Sequence, residues 1–138
     1  HTPDALQQVI SAIRAHQSNS TGKLVVVFGC GGDRDQGKRP LMAEVTERLA
    51  DEVVITSDNP RSEKPEQIIE QIMQGLKQPE RAIVNVDRQS AIEKVLASSS
   101  AEDIILIAGK GHEDYQEIQG VKQPYSDIEV VENWYLKS

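Results

Sequence analysis

The sequence predicts an α/β domain of three layers: a mainly parallel sheet with helices on both faces and a small antiparallel edge or hairpin near its end. Three observations carry this. Short Val- and Ile-rich runs alternate with segments whose apolar residues recur at helical spacing, which is how βαβ units read in sequence. The runs are continuously apolar, as strands covered on both faces are. The 138 residues contain no linker, low-complexity tract or repeat, so one domain over 1–138 is expected.

The elements follow in order. Residues 3–16 carry Leu6, Val9, Ile10 and Ile13 on one helical face, with Thr2 as N-cap and Pro3 in the first turn, where its missing N–H costs nothing. Gln17 to Gly22 reads as a polar loop. Leu24–Phe28 is the first strand and ends in Gly29-Cys30-Gly31-Gly32. Residues 40–50 form a helix with Pro40 near its start and Leu41, Val45 and Leu49 on one face. Val53–Thr56 is the second strand, and Glu66–Lys77 a helix carrying Ile68, Ile69, Ile72 and Leu76. Ala82–Val86 is the third strand, and Ser90–Ser99 a helix through Ile92, Val95 and Leu96. Ile104–Ile107 is the fourth strand. Tyr115–Ile118 and Val121–Gln123, joined by Gln119-Gly120, form the antiparallel pair. Asp127–Lys137 closes the chain as a helix that docks through Ile128, Val131 and Leu136.

Composition narrows the function. A formal net charge of −7 and 4% aromatic residues lack the basic footprint and the stacking surface of a nucleic-acid binder. The same charge argues against anionic membranes, and no apolar run is long enough to span a bilayer. The single cysteine, Cys30, excludes an internal disulfide. The N-terminal stretch lacks the basic n-region of a signal peptide, so a soluble, reducing compartment is expected.

In such folds ligands sit outside the carboxyl ends of the strands. That rule selects the loops Gly29–Arg39, Ser57–Lys64, Asp87–Ser90 and Ala108–Asp114. The first fits G-x4-G-K at Gly32–Lys38. A phosphate loop needs Ser or Thr next, whereas Arg39 stands there, and Asp33 and Asp35 place negative charge where phosphates would lie. The alternative is a glycine-rich turn with solvated charges. Asp58-Asn59-Pro60-Arg61 is a rigid turn that either exposes its Arg or aims a carboxylate and a guanidinium into the crevice. Gly109 and Gly111 permit close backbone approach. His112 lacks a partner at metal-ligand spacing, and Cys30 reads as a small buried thiol. Arg34, Lys38, Arg39 and Arg61 beside Asp33, Asp58 and Glu113 suit a zwitterion. A carboxylate takes a guanidinium fork and an ammonium takes a carboxylate, so an amino-acid-binding crevice is expected.

His1-Thr-Pro-Asp4, Phe28-Gly-Cys-Gly-Gly-Asp-Arg-Asp35, Gly37-Lys-Arg-Pro40, Asp58-Asn-Pro-Arg61 and Ala108-Gly-Lys-Gly-His-Glu-Asp114 together resemble the C-terminal domain of the Mur ligases. Within that family they resemble the branch that adds meso-diaminopimelate, for which Asp-Asn-Pro-Arg is the signature. The resemblance implies a Rossmann-like three-layer domain of the Mur ligase C-terminal type. It also implies a cytoplasmic three-domain enzyme of peptidoglycan synthesis whose N-terminal UDP-binding and central ATPase domains lie outside this chain, which starts at His1 and not at Met. ATP would phosphorylate the γ-carboxyl of D-glutamate in UDP-MurNAc-L-Ala-D-Glu, and the diaminopimelate amine would attack the acyl phosphate. Mg²⁺ and a carbamylated lysine would belong to the central domain, so this chain is expected to be inactive alone, with no catalytic and no metal-ligating residue of its own.

The substrate-binding residues implied for meso-diaminopimelate are Arg34 on a carboxylate, Asp58, Asn59 and Arg61 on the distal amino-acid head with Pro60 fixing the turn, Gly109 through its backbone, and Glu113 on the distal ammonium. Lys38 and His1 lie in motifs near the nucleotide side without an assigned role. Weak diaminopimelate binding by this chain alone and closure of the domains in the whole enzyme are expected. The competing class is a stand-alone amino-acid-binding module on the same fold; a nucleotide hydrolase using Gly32–Lys38 is a third.

Overall fold

The computed structural model describes residues 2–17 and 21–137. The polar loop expected at Gln17–Gly22 falls partly outside the described residues, as does His1. The elements are α1 (Pro3–His16), β1 (Leu24–Phe28), α2 (Lys38–Leu49), β2 (Glu52–Ile55), α3 (Pro65–Met73), a 3₁₀ turn (Pro79–Arg81), β3 (Ile83–Val84), α4 (Arg88–Ser98), β4 (Ile104–Ile107), β5 (Tyr115–Ile118), β6 (Val121–Pro124) and α5 (Asp127–Lys137).

The main sheet is parallel throughout, in the order β3-β2-β1-β4. All five residues of β1 are buried, because it has a strand on each side and helices above and below. Side chains alternate across the sheet. Leu24, Val26 and Phe28 therefore pack with Leu6 and Ile10 of α1, Met42, Ala43 and Val45 of α2, and Ile68, Ile69 and Ile72 of α3. Val25 and Val27 pack on the other face with Ala91, Ile92 and Val95 of α4 and Val130 of α5. These are the expected three layers. The Thr2 hydroxyl caps α1 by accepting from the Ala5 N–H at 3.1 Å, and the Asp87 carboxylate caps α4 through the Ser90 N–H at 2.9 Å.

The details differ from expectation where neighbours decide them. β3 pairs only through Ile83 and Val84, since it is the sheet edge and the chain then turns into the α4 cap. Val9, Leu41, Ile128 and Leu136, expected inward, are 47%, 49%, 40% and 83% exposed; Met42 and Val130 take the core positions on α2 and α5. Helical spacing marks an apolar stripe wider than the strip a flat sheet covers. The antiparallel pair β5-β6 is a separate hairpin and not an edge of the main sheet. It touches the rest through a parallel bridge between Arg61 and Ile118.

The strand order locates the site. From β1 the chain proceeds to β2 and β3 on one side, then returns to place β4 on the other. The strand order thus reverses between β1 and β4, and the crevice outside their carboxyl ends is the topological switch point of an open α/β sheet.

Candidate functional site

A crevice of ≈ 740 Å³ opens at that point, lined by residues of the loops after β1, β2 and β4 and by one face of α1. Arg34, Asp58, Asn59, Arg61, Gly109 and Glu113 all line it. Pro60 lies behind it, buried, and shapes the turn. The loop Asp87–Ser90, also expected to contribute, does not reach the crevice. It follows β3, two strands away from the switch point.

The Asp58–Arg61 turn is not an exposed loop. Asp58 and Asn59 are 2% and 3% exposed. The Asn59 side-chain oxygen accepts from the Lys110 ammonium at 2.8 Å and the Glu117 N–H at 2.9 Å, and its amide donates to Glu113 Oε1 at 3.4 Å. Every polar atom of this side chain is engaged, so Asn59 positions its neighbours. The Asp58 carbonyl accepts from Gln116 Nε2 at 2.7 Å. Arg61 adopts a left-handed backbone at φ 53°, a conformation that costs a non-glycine residue about 1 kcal/mol or more. The hairpin holds it there: its N–H donates to Glu117 O at 3.0 Å and its carbonyl accepts from Gln119 N–H at 2.7 Å.

The first loop is stapled to this turn. Gly32 N–H donates to Asn59 O at 2.7 Å, and Arg61 Nη1 donates to Gly32 O at 2.9 Å. A Cβ at Gly32 would stand 1.8 Å from Pro60 O, so only glycine permits this approach. Behind the loop, buried Arg39 donates to both carboxylate oxygens of Glu63 at 3.0 and 2.7 Å and to Gly31 O at 2.9 Å. Those hydrogen bonds hold the Glu63 carboxyl below its usual range. Arg39 borders the crevice, but its guanidinium is spent on Glu63 and Gly31 O, so it acts as a structural cation.

The phosphate-loop resemblance at Gly32–Lys38 does not extend to geometry. The N–H groups an anion would need are taken by carboxylates: Asp33 N–H donates to Glu63 Oε2 at 2.6 Å and Gly37 N–H to Asp35 Oδ1 at 2.9 Å. Among the described residues no three His, Cys, Asp or Glu groups converge as a metal site. The described residues thus offer no all-protein cage for Mg²⁺.

Arg34 is exposed, with Nη1 donating to the Asp33 carbonyl at 3.1 Å, so most of its guanidinium fork faces the opening. Gly109 has φ +114°, and a Cβ there would lie 3.5 Å from Asp58 Oδ2. Glu113 is half-buried, and its N–H closes a turn onto Lys110 O at 2.9 Å. The opposite wall is apolar: Leu6, Val9, Met42 and Leu106. The outward exposure of Val9 is thereby accounted for, since it faces the crevice and not the core.

Burial pushes the Cys30 thiol up to about 12, against a smaller lowering by Arg39. A thiol so protonated is a poor nucleophile. Alkylation of Cys30 in the native domain at pH 8 is expected to run about two to three orders of magnitude slower than in the urea-unfolded chain. Equal rates in the two states would show the thiol ionised and accessible.

Two buried cations were not legible from sequence. Lys110, 3% exposed, lies between Asp58 and Glu113. Arg88, 1% exposed, donates to Ser57 O at 2.9 Å and Ala108 O at 3.1 Å and pairs with Asp127. Ser57 and Ala108 are the residues just before Asp58 and Gly109, so Arg88 ties together the backbone of two crevice loops. Strand-end carbonyls needing a donor were the available signal, but it does not say which cation answers.

Residues 1–111 match the Mur ligase, glutamate ligase domain model. The chain belongs to the Mur ligase family. Among curated relatives, the UDP-N-acetylmuramoyl-L-alanyl-D-glutamate–2,6-diaminopimelate ligase of Pseudomonas syringae pv. tomato is 54% identical over 129 residues, covering 94% of this chain and 26% of that protein. The ligase of the same name from Aquifex aeolicus is 50% identical over 131 residues, covering 95% of this chain and 27% of that one. A solved structure of a UDP-N-acetylmuramoyl-L-alanyl-D-glutamate–2,6-diaminopimelate ligase superposes with a TM-score of 0.91 at 46% identity over 99% of this chain and 28% of its own. This Mur ligase domain thus spans about a quarter of the length of those relatives. The fold is that of the Mur ligase C-terminal domain, with its parallel sheet and separate antiparallel pair.

Proposed function

We propose that residues 1–138 form the C-terminal domain of a three-domain, ATP-dependent Mur ligase of the cytoplasm, and that the crevice binds the incoming meso-diaminopimelate. The observation that carries this reading is the convergence of Arg34, Asp58, Asn59, Arg61, Gly109 and Glu113 on one crevice at the switch point. Relatives at about half identity named as diaminopimelate ligases support it. Arg34 offers its fork to a carboxylate, while Asp58 and Glu113 supply negative charge for an ammonium. Arg61 is braced by Gly32 O and by Glu117 Oε1 at 3.5 Å, so its guanidinium is pre-oriented rather than mobile. The apolar wall of Leu6, Val9 and Met42 suits methylenes between two polar heads.

In the whole ligase, ATP and Mg²⁺ would be handled mainly by the central domain, and the UDP-MurNAc-dipeptide would be shared with the N-terminal domain. This chain's part is to hold the amine donor in line for the acyl phosphate. Its residues bind and orient that donor.

The test is calorimetric titration of the full-length ligase and of this domain with meso-diaminopimelate, L-lysine and ATP. Binding of diaminopimelate in preference to L-lysine by both proteins is expected, weaker in the domain. A full-length ligase that binds L-lysine as tightly as diaminopimelate would overturn the reading.

A further inference from the structure

We propose that Lys110 is a positioning residue that sets which amino-acid head the crevice accepts, by cancelling one of the two carboxylates, Asp58 and Glu113, that flank it. The inference rests on the diaminopimelate reading above. The Lys110 side chain is fully enclosed, with no exposed surface. Its ammonium lies 2.8 Å from Asn59 Oδ1, 3.0 Å from Tyr115 O and 3.1 Å from Asp58 Oδ1, with Glu113 Oε1 at 3.5 Å. Two of its N–H donors go to Asn59 Oδ1 and Tyr115 O, while Asp58 and Glu113 meet its charge as ion pairs. Lys110 does not line the crevice, and it acts through Asp58 and Glu113, which do.

The glycines on either side explain how the lysine comes to be inside. Gly109 at φ +114° and Gly111 at φ +53° reverse the chain before and after it, so the side chain turns under the loop and away from water. A buried ammonium is costly unless paired and hydrogen-bonded, and here it is both. The consequence is a charge count. Asp58 and Glu113 alone carry two negative charges; with Lys110 the cluster carries one. One negative charge matches the single ammonium of an α-amino-acid head, whose carboxylate Arg34 and Arg61 can then take. Two negative charges would instead favour a bare cationic amine, such as the side chain of L-lysine. Lys110 thus separates a zwitterionic head from a simple cation by removing attraction for the latter.

The test compares Lys110→Met and Lys110→Gln with the parent in full-length ligase, using meso-diaminopimelate and L-lysine as competing substrates. Two variants are made so that a failure of one to fold leaves the other, and thermal melting identifies a folded one. The ratio of kcat/KM for diaminopimelate over L-lysine is expected to fall about tenfold or more, mainly through the diaminopimelate KM, with kcat changed about threefold at most. The double variant Lys110→Met/Asp58→Asn restores the charge count and is expected to recover part of that ratio. An unchanged ratio in a folded single variant, or a double variant no better than Lys110→Met, overturns the assignment. A Glu113→Gln control separates the two layers. If Glu113→Gln raises the diaminopimelate KM while Lys110→Met does not move the ratio, Lys110 is merely structural. If Glu113→Gln also leaves KM unchanged, the diaminopimelate reading itself fails and the Lys110 assignment falls with it.

Discussion

Replacing Arg61 with alanine in the full-length ligase is expected to weaken diaminopimelate binding by about 2–5 kcal/mol, seen as a raised KM. The structure supplies two reasons for so large an effect. The guanidinium lines the crevice and is held by Gly32 O at 2.9 Å and Glu117 Oε1 at 3.5 Å, so its orientation is settled before substrate arrives. Its removal also unfastens the first loop from the Asp58–Pro60 turn, leaving Gly32 O without that donor. Arg61→Lys is expected to recover little, because one ammonium cannot serve Gly32, Glu117 and a substrate carboxylate along the three directions of a planar fork. Steady-state kinetics of both variants checks this. An unchanged KM in Arg61→Ala would remove the residue from the site, and a fully active Arg61→Lys would show that the fork is not used.

The second large effect concerns stability. Arg88→Met is expected to destabilise the domain by about 3–5 kcal/mol, because it leaves the buried Asp127 carboxylate without its cation. Arg88 Nε and Nη2 meet Asp127 Oδ1 and Oδ2 at 2.8 Å each, and the Tyr125 hydroxyl donates to Asp127 Oδ1 at 2.7 Å. Burial works to lower the Arg88 pKa, but the hydrogen bond and charge of Asp127 outweigh it and the net shift is upward. Burial and then Asp127 push the Tyr125 phenol up as well. Arg88 therefore stays charged and Tyr125 neutral across the ordinary pH range. Urea denaturation checks the prediction. A double variant that also carries Asp127→Leu is expected to be more stable than Arg88→Met alone, since it removes the orphaned charge. If single and double variants lose the same free energy, the pair is not coupled. Because Arg88 also holds Ser57 O and Ala108 O, the folded fraction of Arg88→Met is expected to bind diaminopimelate more weakly than the parent.

The local chemistry of the chain was legible without the structure. Continuous runs such as Leu24–Phe28 and Ile104–Ile107 are strands because both their faces must be covered, and the helical spacing of Ile68, Ile69 and Ile72 points them at one layer. Thr2, Pro3 and Asp87 set helix starts through groups within three residues of themselves. Motifs at the carboxyl ends of β1, β2 and β4 were identifiable as the crevice for the same reason. What lay out of reach was every property that depends on partners distant in the chain. The order β3-β2-β1-β4 makes the ends of β1 and β4 neighbours, and nothing local distinguishes that order from another. It brings the Ala108–Asp114 loop against Asp58 and Asn59, and it excludes Asp87–Ser90.

The sequence by itself determined the three layers, the placement of each strand and helix to within a few residues, and which loops carry charge, since periodicity and capping are short-range. Only the tertiary structure decided what those charges do. Arg39 and Arg88 became buried struts, Lys110 turned inward between two left-handed glycines, and Arg34 stayed at the opening. A cation's role follows from whether the folded chain brings a carboxylate or a carbonyl to it once water is gone, and contacts across 24 to 54 positions are made only by the fold.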